Sequence, residues 1–168
     1  MHRSHDCHFC RIVAETRAGR NPFALAETQT TLIMLDRNQF VTARILVIGK
    51  AHNPSERDKE MERRFEDECE LVKQALKLCH PHLAQIQVQE AVAMHLRCML
   101  HPMEKASDPS INDGGFHTRT LTRPELEDLK VRIQKPLLVL IHKYGRARSD
   151  YHLSLTQNSP SEFPPLGP

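Results

Sequence analysis

Two short stretches of this sequence carry side chains that can bind a metal ion or contact a phosphate group. The first is Cys7-His-Phe-Cys10, in which two thiolates at Cys-x-x-Cys spacing can reach one tetrahedral metal ion from a tight turn. We expect neither a strand before this pair nor a long helix after it, which a thioredoxin-like redox site would require. The pair is therefore either half of a metal site or a metal-free turn, and a redox role is disfavoured.

The second stretch places His95, Arg97 and Met99 at alternate positions. Side chains at i, i+2 and i+4 share one face of a strand, so these three are predicted to project together. Arg97 brings a permanent positive charge and a fork of N–H donors that can hold a phosphate. The alternative is that Arg97 pairs with a nearby carboxylate.

The elements that position these residues begin with two apolar runs of strand length at 31–35 and 45–48, separated by a hairpin connection. The sequence Asn53-Pro-Ser-Glu56 has the capping pattern of a helix start. Apolar residues then recur at steps of three or four, which predicts a helix from about 54 to 79 with one buried face. The residues of that face are Met61, Phe65, Cys69, Val72, Leu76 and Cys79.

The second half of the chain repeats this order of elements. Residues 84–100 alternate with period two, which is typical of strands. A second capping box at Thr122–Glu125 predicts a helix that Pro136 should end or kink. Strands and helices in this order predict an α+β fold built on an antiparallel sheet.

Length and composition limit the classes of function. The 168 residues suit one domain, predicted at 1–143, followed by a polar, Pro-rich and disordered tail at 144–168. A net charge of +2, from 23 basic and 21 acidic side chains, does not by itself indicate a nucleic-acid-binding surface. No apolar run approaches the ~18 residues of a membrane span. The N-terminus lacks the apolar stretch of a secretory signal, so we expect a cytoplasmic protein.

These motifs resemble those of the histidine triad (HIT) superfamily of nucleotide hydrolases and transferases. Members open with Cys-x-Phe-Cys-x-Ile-Val, and residues 7–13 read Cys-His-Phe-Cys-Arg-Ile-Val. They continue with Leu-Asp-x-Asn-Pro and Gly-His-x-Leu-Val-Ile-Pro-Lys-x-His, to which 35–38 and 43–52 are similar. The signature His-φ-His-φ-His-φ-φ-Pro corresponds to 95–102, with its second and third histidines replaced. The resemblance covers about residues 7–135.

The resemblance implies a HIT-like sheet of about five strands with a packed helix and a C-terminal helix, in a chain that forms a homodimer. It also implies a structural zinc ion, because the ligand positions of zinc-containing members match Cys7, Cys10, His52 and His95. Such a closed tetrahedral shell would tie the N-terminal segment to two distant strands. The alternative is that His52 only ends a strand and His95 is a core histidine.

The resemblance also implies that no catalytic histidine remains in the triad. Arg97 stands where the family has its nucleophile, and a guanidinium has no lone pair to give. Met99 replaces the third histidine, while Asp36 and Asn38 match the segment that approaches the ribose. Asp36 capping a turn is the alternative. His101 is the candidate substitute nucleophile, but we expect its side chain to point away from the row unless the strand ends or bulges first.

Three functions from different classes follow. The first is a pseudoenzyme that binds a purine nucleotide or another phosphate-bearing small molecule and has lost the covalent step. The second is an active purine mononucleotide or dinucleotide hydrolase that uses His101 or another histidine. The third is a zinc-stapled scaffold for protein interaction.

Overall fold

The computed structural model describes residues 7–36, 43–92, 94–104, 121–146 and 153–154. The strands within these ranges are β1 (Ala24–Thr28), β2 (Thr31–Leu35), β3 (Ile45–Gly49), β4 (Leu83–Val92), β5 (Leu96–Glu104) and β6 (Leu153–Ser154). The helices are α1 (His8–Arg17), α2 (Lys59–Cys79) and α3 (Arg123–Arg146), and a short 3-10 turn spans Pro54–Glu56. Among these, no helix is long and apolar enough to cross a membrane.

The six strands form one sheet in the order β4-β5-β3-β2-β1-β6, and every pair is antiparallel. Helices α2 and α3 pack together and contact strands of the sheet. The predicted α+β class, with an antiparallel sheet, a packed helix and a C-terminal helix, is confirmed. The two predicted strands at 31–35 and 45–48 are also confirmed, and they pair with each other directly.

Both faces of the sheet are covered, which explains why every residue of β2 and β3 is buried. Successive side chains of a strand point to opposite faces, and the two strands therefore contribute to two separate apolar clusters. The larger cluster lies between the sheet and the helices α2 and α3, and includes Ile33 and Val47. The smaller cluster lies between the sheet and α1, and includes Leu32, Leu46 and Ile48. We call this second side of the sheet the α1 face.

Helix α2 begins later than the capping pattern at 53–56 predicted. Asp58 caps it, accepting a 2.7 Å hydrogen bond from the backbone N–H of Met61. Asn53 instead donates its side-chain amide to Glu56, whose carboxylate also accepts the backbone N–H of His52. The predicted start was wrong because these local bonds close a short 3-10 turn, after which the backbone is extended at Arg57. The predicted end at Cys79 is confirmed.

Helix α3 opens at the predicted capping box and continues through Pro136. The Glu125 carboxylate accepts the backbone N–H and the hydroxyl of Thr122, at 2.9 and 2.8 Å. Of the two outcomes expected at Pro136, an end of the helix was wrong, because α3 runs on to Arg146, and a kink stays a prediction. Core residues on both sides of the proline, including Ile133 and Leu137, are fully buried, and their burial offsets the backbone hydrogen bond that proline cannot donate.

Two described elements reach beyond residue 143, the predicted end of the domain, and the boundary itself stays a prediction. Helix α3 runs to Arg146, and the two residues of β6 pair with β1 at the edge of the sheet. The rest of the predicted tail lies outside the described residues, as does most of the hairpin connection at 36–42.

Candidate functional site

The structure brings together Cys7, Cys10, His52 and His95, each of which offers one sulfur or ring-nitrogen atom, and these four atoms lie within 4.8 Å of one another. Cys10 Sγ is 3.2 Å from His52 Nδ1 and 3.3 Å from His95 Nε2. The two imidazole nitrogens are 3.1 Å apart. We call these four residues the donor cluster. Its members converge on one point, so they can hold a metal ion.

The two cysteines reach this point because they bracket the first turn of α1. Cys7 is the N-cap residue of the helix, and its carbonyl accepts the backbone N–H of Arg11. Cys10 follows three positions later on the same turn. Residues three apart on a helix lie on one side, which points both sulfurs toward the sheet.

The two histidines meet because β3 and β5 are antiparallel neighbours. His52 follows the end of β3, and His95 immediately precedes β5. The strands approach closely at this end, where a Cβ atom on Gly49 would stand 3.1 Å from Leu96 Cβ. Glycine therefore permits the close approach that brings the two histidines to one side of the sheet.

Hydrogen bonds outside the cluster hold the backbone of His52 and orient the imidazole of His95. Nδ1 of His95 donates to the carbonyl of Gly49 at 2.8 Å, which leaves the lone pair of Nε2 directed at the cluster. The backbone N–H of His52 donates to Glu56 at 3.1 Å. Both histidines are buried, with His95 only 1% exposed. The arrangement of His95 is that of a metal ligand held by a supporting hydrogen bond.

Burial favours the uncharged forms of Cys10 and His95. Burial and the neighbouring Cys7 raise the pKa of Cys10 to about 11. Burial also lowers the pKa of His95, against the opposing effect of its bond to Gly49. A metal ion binding here would displace the proton of the Cys10 thiol and pair with the imidazole of His95, whose neutral form burial favours.

Arg97 and Met99 lie on the α1 face, as their alternate spacing predicted. In the pairing of β3 with β5, Arg97 stands opposite Ile48 and Met99 opposite Leu46, and Met99 packs against the smaller apolar cluster. Cys98 between them is buried in the larger cluster on the other side. The row therefore begins beside the donor cluster and continues along β5.

The expectation that His101 points away from this row was wrong. His101 is an even number of residues beyond His95, and β5 pairs with β4 without a bulge as far as Met103. Its buried side chain therefore extends the row on the α1 face. Burial and the nearby Arg44 guanidinium lower the pKa of His101, while the Asp36 carboxylate opposes this shift.

The guanidinium of Arg97 lies over an aromatic ring and pairs with no carboxylate among the described residues. Its Cζ atom lies 4.8 Å from the centroid of the Phe9 ring. Its Nε atom is buried and has no hydrogen-bond partner among the described residues. No carboxylate within the described ranges forms an ion pair with Arg97, so the alternative of a carboxylate partner is not seen in those ranges.

Asp36 forms an ion pair with Arg44, at 3.1 Å between Oδ2 and Nε, and both side chains are largely buried. Arg44 also donates to the sulfur of Met99, at 2.8 Å from Nε. Asp36 is therefore held against the row on β5 by an arginine. Asn38, the other residue predicted to approach a ribose, lies outside the described residues.

Sequence reasoning missed the roles of Phe9 and Arg44 in this site. Phe9 stands between the two cysteines, and an aromatic residue in that place is a weak signal for contact with β5. Arg44 is two positions before Leu46, so the period of two places it on the α1 face. A charged residue on an otherwise apolar face is the signal by which the role of Arg44 could have been predicted.

The fold is similar to those of several solved structures, whereas no family model and no curated protein sequence matches the chain. A hypothetical histidine triad nucleotide-binding protein from Sulfolobus tokodaii has 20% identity and a TM-score of 0.60, over 86% of this chain and 97% of that one. A Zn-bound histidine triad family protein from Mycobacterium smegmatis has 17% identity and a TM-score of 0.60, over 84% and 99%.

A Hit-like protein involved in cell-cycle regulation from Bartonella henselae has 17% identity and a TM-score of 0.56, over 74% of this chain and 94% of that one. These matches span nearly the full length of the solved proteins. The chain therefore has the fold of the histidine triad proteins.

Proposed function

We propose that this chain binds a purine nucleotide or another phosphate-bearing small molecule on its α1 face and holds a structural zinc ion in the donor cluster. The observation that carries the proposal is the environment of the Arg97 guanidinium. A half-buried guanidinium without a carboxylate partner among the described residues is a costly arrangement, and an anionic ligand would relieve it. A guanidinium edge matches two phosphate oxygens with parallel N–H bonds.

The donor cluster fits zinc in both chemistry and size. Two thiolates and two imidazoles are a usual tetrahedral set for Zn²⁺, and this set leaves no open position for water. Bond lengths of about 2.3 Å to sulfur and 2.0–2.1 Å to nitrogen require donor separations of roughly 3.3–3.6 Å along edges that include a nitrogen. The separations among the donor atoms of Cys10, His52 and His95 are 3.1–3.3 Å, which is close to this, and all four donor atoms lie within 4.8 Å of one another. Bound there, the metal supplies a cross-link between α1 and the sheet.

The covalent step of nucleotidyl transfer has no nucleophile at Arg97. A permanent cation offers only donors, and the thioether of Met99 cannot protonate a leaving group. Asp36 is held by Arg44, so its approach to a ribose would require it to share its carboxylate. We therefore place the ligand's phosphate at Arg97 and assign no chemistry to the site.

The names of two similar structures agree with this proposal. The Sulfolobus tokodaii protein is described as nucleotide-binding, and the Mycobacterium smegmatis protein as Zn-bound. The homodimer, the cytoplasmic location and the domain boundary at 143 stay predictions.

A second candidate, hydrolysis of a purine mononucleotide or dinucleotide by His101, is favoured by one observation. His101 shares the α1 face with Arg97, and burial keeps its imidazole in the neutral form that a nucleophile needs. Turnover of a nucleoside phosphoramidate by the wild-type protein, abolished in His101→Gln, would favour this candidate over simple binding.

Calorimetric titration of the zinc-loaded protein with AMP, GMP and inorganic phosphate tests the leading proposal. We expect saturable binding of at least one of these, weakened roughly tenfold or more by Arg97→Gln, because charge-assisted hydrogen bonds are lost. The matched control is Arg132→Gln, which removes an arginine from the exposed side of α3. Failure of the wild-type protein to bind any of the three would favour the scaffold function. Equal binding by Arg97→Gln would place the site elsewhere.

A further inference from the structure

We infer that metal binding in the donor cluster strengthens phosphate binding at Arg97, with the ring of Phe9 as the link between the two sites. The inference rests on the proposed function, because it concerns the regulation of the proposed phosphate site. It follows from contacts that join the two sites directly.

Both partners of the stacking contact are tethered to members of the donor cluster. Phe9 lies between Cys7 and Cys10 in the first turn of α1. Arg97 lies two residues after His95 on β5. The Phe9 ring is 4.8 Å from the Arg97 Cζ and 5.8 Å from the His95 ring. A metal ion that holds these ligands therefore also holds the ring and the guanidinium together.

Stacking prepares Arg97 for an anion without blocking it. The Arg97 Cζ atom lies over the ring, and a guanidinium that stacks on a ring keeps its N–H donors at its edge, pointing outward in its plane. A phosphate can therefore bind at the edge while the face remains stacked. A side chain that is already held loses less conformational freedom when the ligand arrives, and this preorganisation raises affinity.

The first turn of α1, in which Phe9 is only partly buried against the smaller apolar cluster, would gain order from a bound metal. Cys7 is the N-cap residue, but its side chain makes no capping hydrogen bond, so the turn lacks the bond that usually stabilises a helix start. Ile12 and Val13, one turn later, are buried in the smaller apolar cluster and hold the body of the helix. Without metal we expect α1 to stay docked through these residues while the turn that carries Phe9 loosens.

Net charge does not explain the link. A divalent ion balanced by two thiolates and two neutral imidazoles adds no charge beside Arg97. The coupling therefore acts through the ordering of Phe9. Because such coupling is reciprocal, phosphate must raise the metal affinity by the same factor that metal raises the phosphate affinity.

Two titrations of the full chain measure this factor. The first compares the Kd for inorganic phosphate and for AMP between zinc-loaded protein and protein stripped of zinc under reducing conditions. The second measures the zinc affinity against a competing chelator, with and without saturating phosphate. We expect both to give the same factor, of roughly fivefold or more, which is the lower end of usual coupling. The second titration begins from the loaded fold, so it remains informative if the stripped protein is unstable.

Phe9→Leu tests the link itself, because it keeps apolar packing but removes the aromatic face. We expect it to bind zinc with little change and to reduce the coupling factor toward one. The matched control is Phe23→Leu, at another partly buried phenylalanine that packs on the same cluster, and it should keep the coupling. Arg97→Lys, which retains the charge but not the planar stack, should bind phosphate weakly whether or not zinc is present.

The possible outcomes distinguish failure of this inference from failure of the proposed function on which it rests. Phosphate and AMP binding of equal strength with and without zinc would overturn the linkage and leave the proposed function standing. Coupling that survives in Phe9→Leu would overturn the role of the ring. If loaded wild-type protein bound neither ligand, the proposed function would fail, and the linkage with it.

Discussion

The carbonyl of Gly49 accepts a 2.8 Å hydrogen bond from Nδ1 of His95. This bond joins the last residue of β3 to the residue before β5, and it decides which ring nitrogen of His95 faces the donor cluster. The same glycine permits the close contact with Leu96. One position therefore supports both the spacing of the strands and the orientation of a metal ligand.

Gly49→Ala should weaken zinc binding through this relationship. Its new Cβ would stand 3.1 Å from Leu96 Cβ, so the strands must shift by a few tenths of an ångström. We expect a loss of about 1 kcal/mol in the free energy of unfolding and roughly tenfold weaker zinc binding, measured by chelator competition. Ile45→Val, which costs a similar free energy at the far end of β3, is the control. Unchanged zinc affinity in Gly49→Ala would contradict the assigned role of the carbonyl.

Cys10→Ser should release the metal, because the serine hydroxyl is a poor zinc ligand. We expect purified wild-type protein to contain close to one zinc per chain and the variant to contain little, by elemental analysis. The free energy of unfolding in urea should fall by roughly 3 kcal/mol or more, as expected for loss of a structural metal. Cys79→Ser is the control, since that thiol lies at the end of α2 and donates to the carbonyl of Arg132. Elemental analysis that finds no zinc in wild-type protein prepared under reducing and chelator-free conditions would contradict this prediction.

The wild-type chain should be inactive toward nucleoside phosphoramidates and dinucleoside polyphosphates, because Arg97 has no lone pair to attack phosphorus. Arg97→His together with Met99→His should restore measurable turnover, while either change alone should restore much less, since nucleophile and phosphate partner act as a unit. A wild-type rate on the order of 1 per second would refute the binding-only proposal. Loss of that rate in His101→Gln would then assign the nucleophile.

Stability below neutral pH should depend on His101. Burial and Arg44 lower the pKa of His101 in the folded protein, and Asp36 opposes this shift. In the unfolded chain the pKa of a histidine is about 6.5. At a pH between the two pKa values, the unfolded chain therefore binds more protons than the folded protein. Stability contributed by the neutral histidine is therefore present above about pH 6.5 and is lost as the pH falls below it. Urea unfolding of His101→Gln should show a weaker loss from pH 7 to pH 5 than wild type.

His142→Gln removes an exposed histidine from α3 and serves as the control for that comparison. It should follow the wild-type curve of unfolding free energy against pH. If the unfolding free energy of His101→Gln falls with pH as steeply as that of the wild type, another group titrates in this range.

The sequence by itself determined the local elements of this protein and the types of its site residues. Strands at Thr31–Leu35 and Ile45–Gly49, and the end of α2 at Cys79, follow from short-range apolar patterns that the structure keeps. The row of Arg97 and Met99 follows from the period of a strand. These features are predictable because each depends on neighbours only a few residues away.

Only the tertiary structure decided how those elements meet. Cys10 contacts His52 and His95 across 42 and 85 positions of the chain, and no local period encodes such a contact. Residues of α3 on both sides of Pro136 are buried, which keeps the helix whole although proline locally disfavours it. The stacking of Phe9 on Arg97 likewise exists because α1 docks on the sheet face that carries β5. Packing of distant segments outweighs local preference here, since burial of apolar surface is the larger free-energy term.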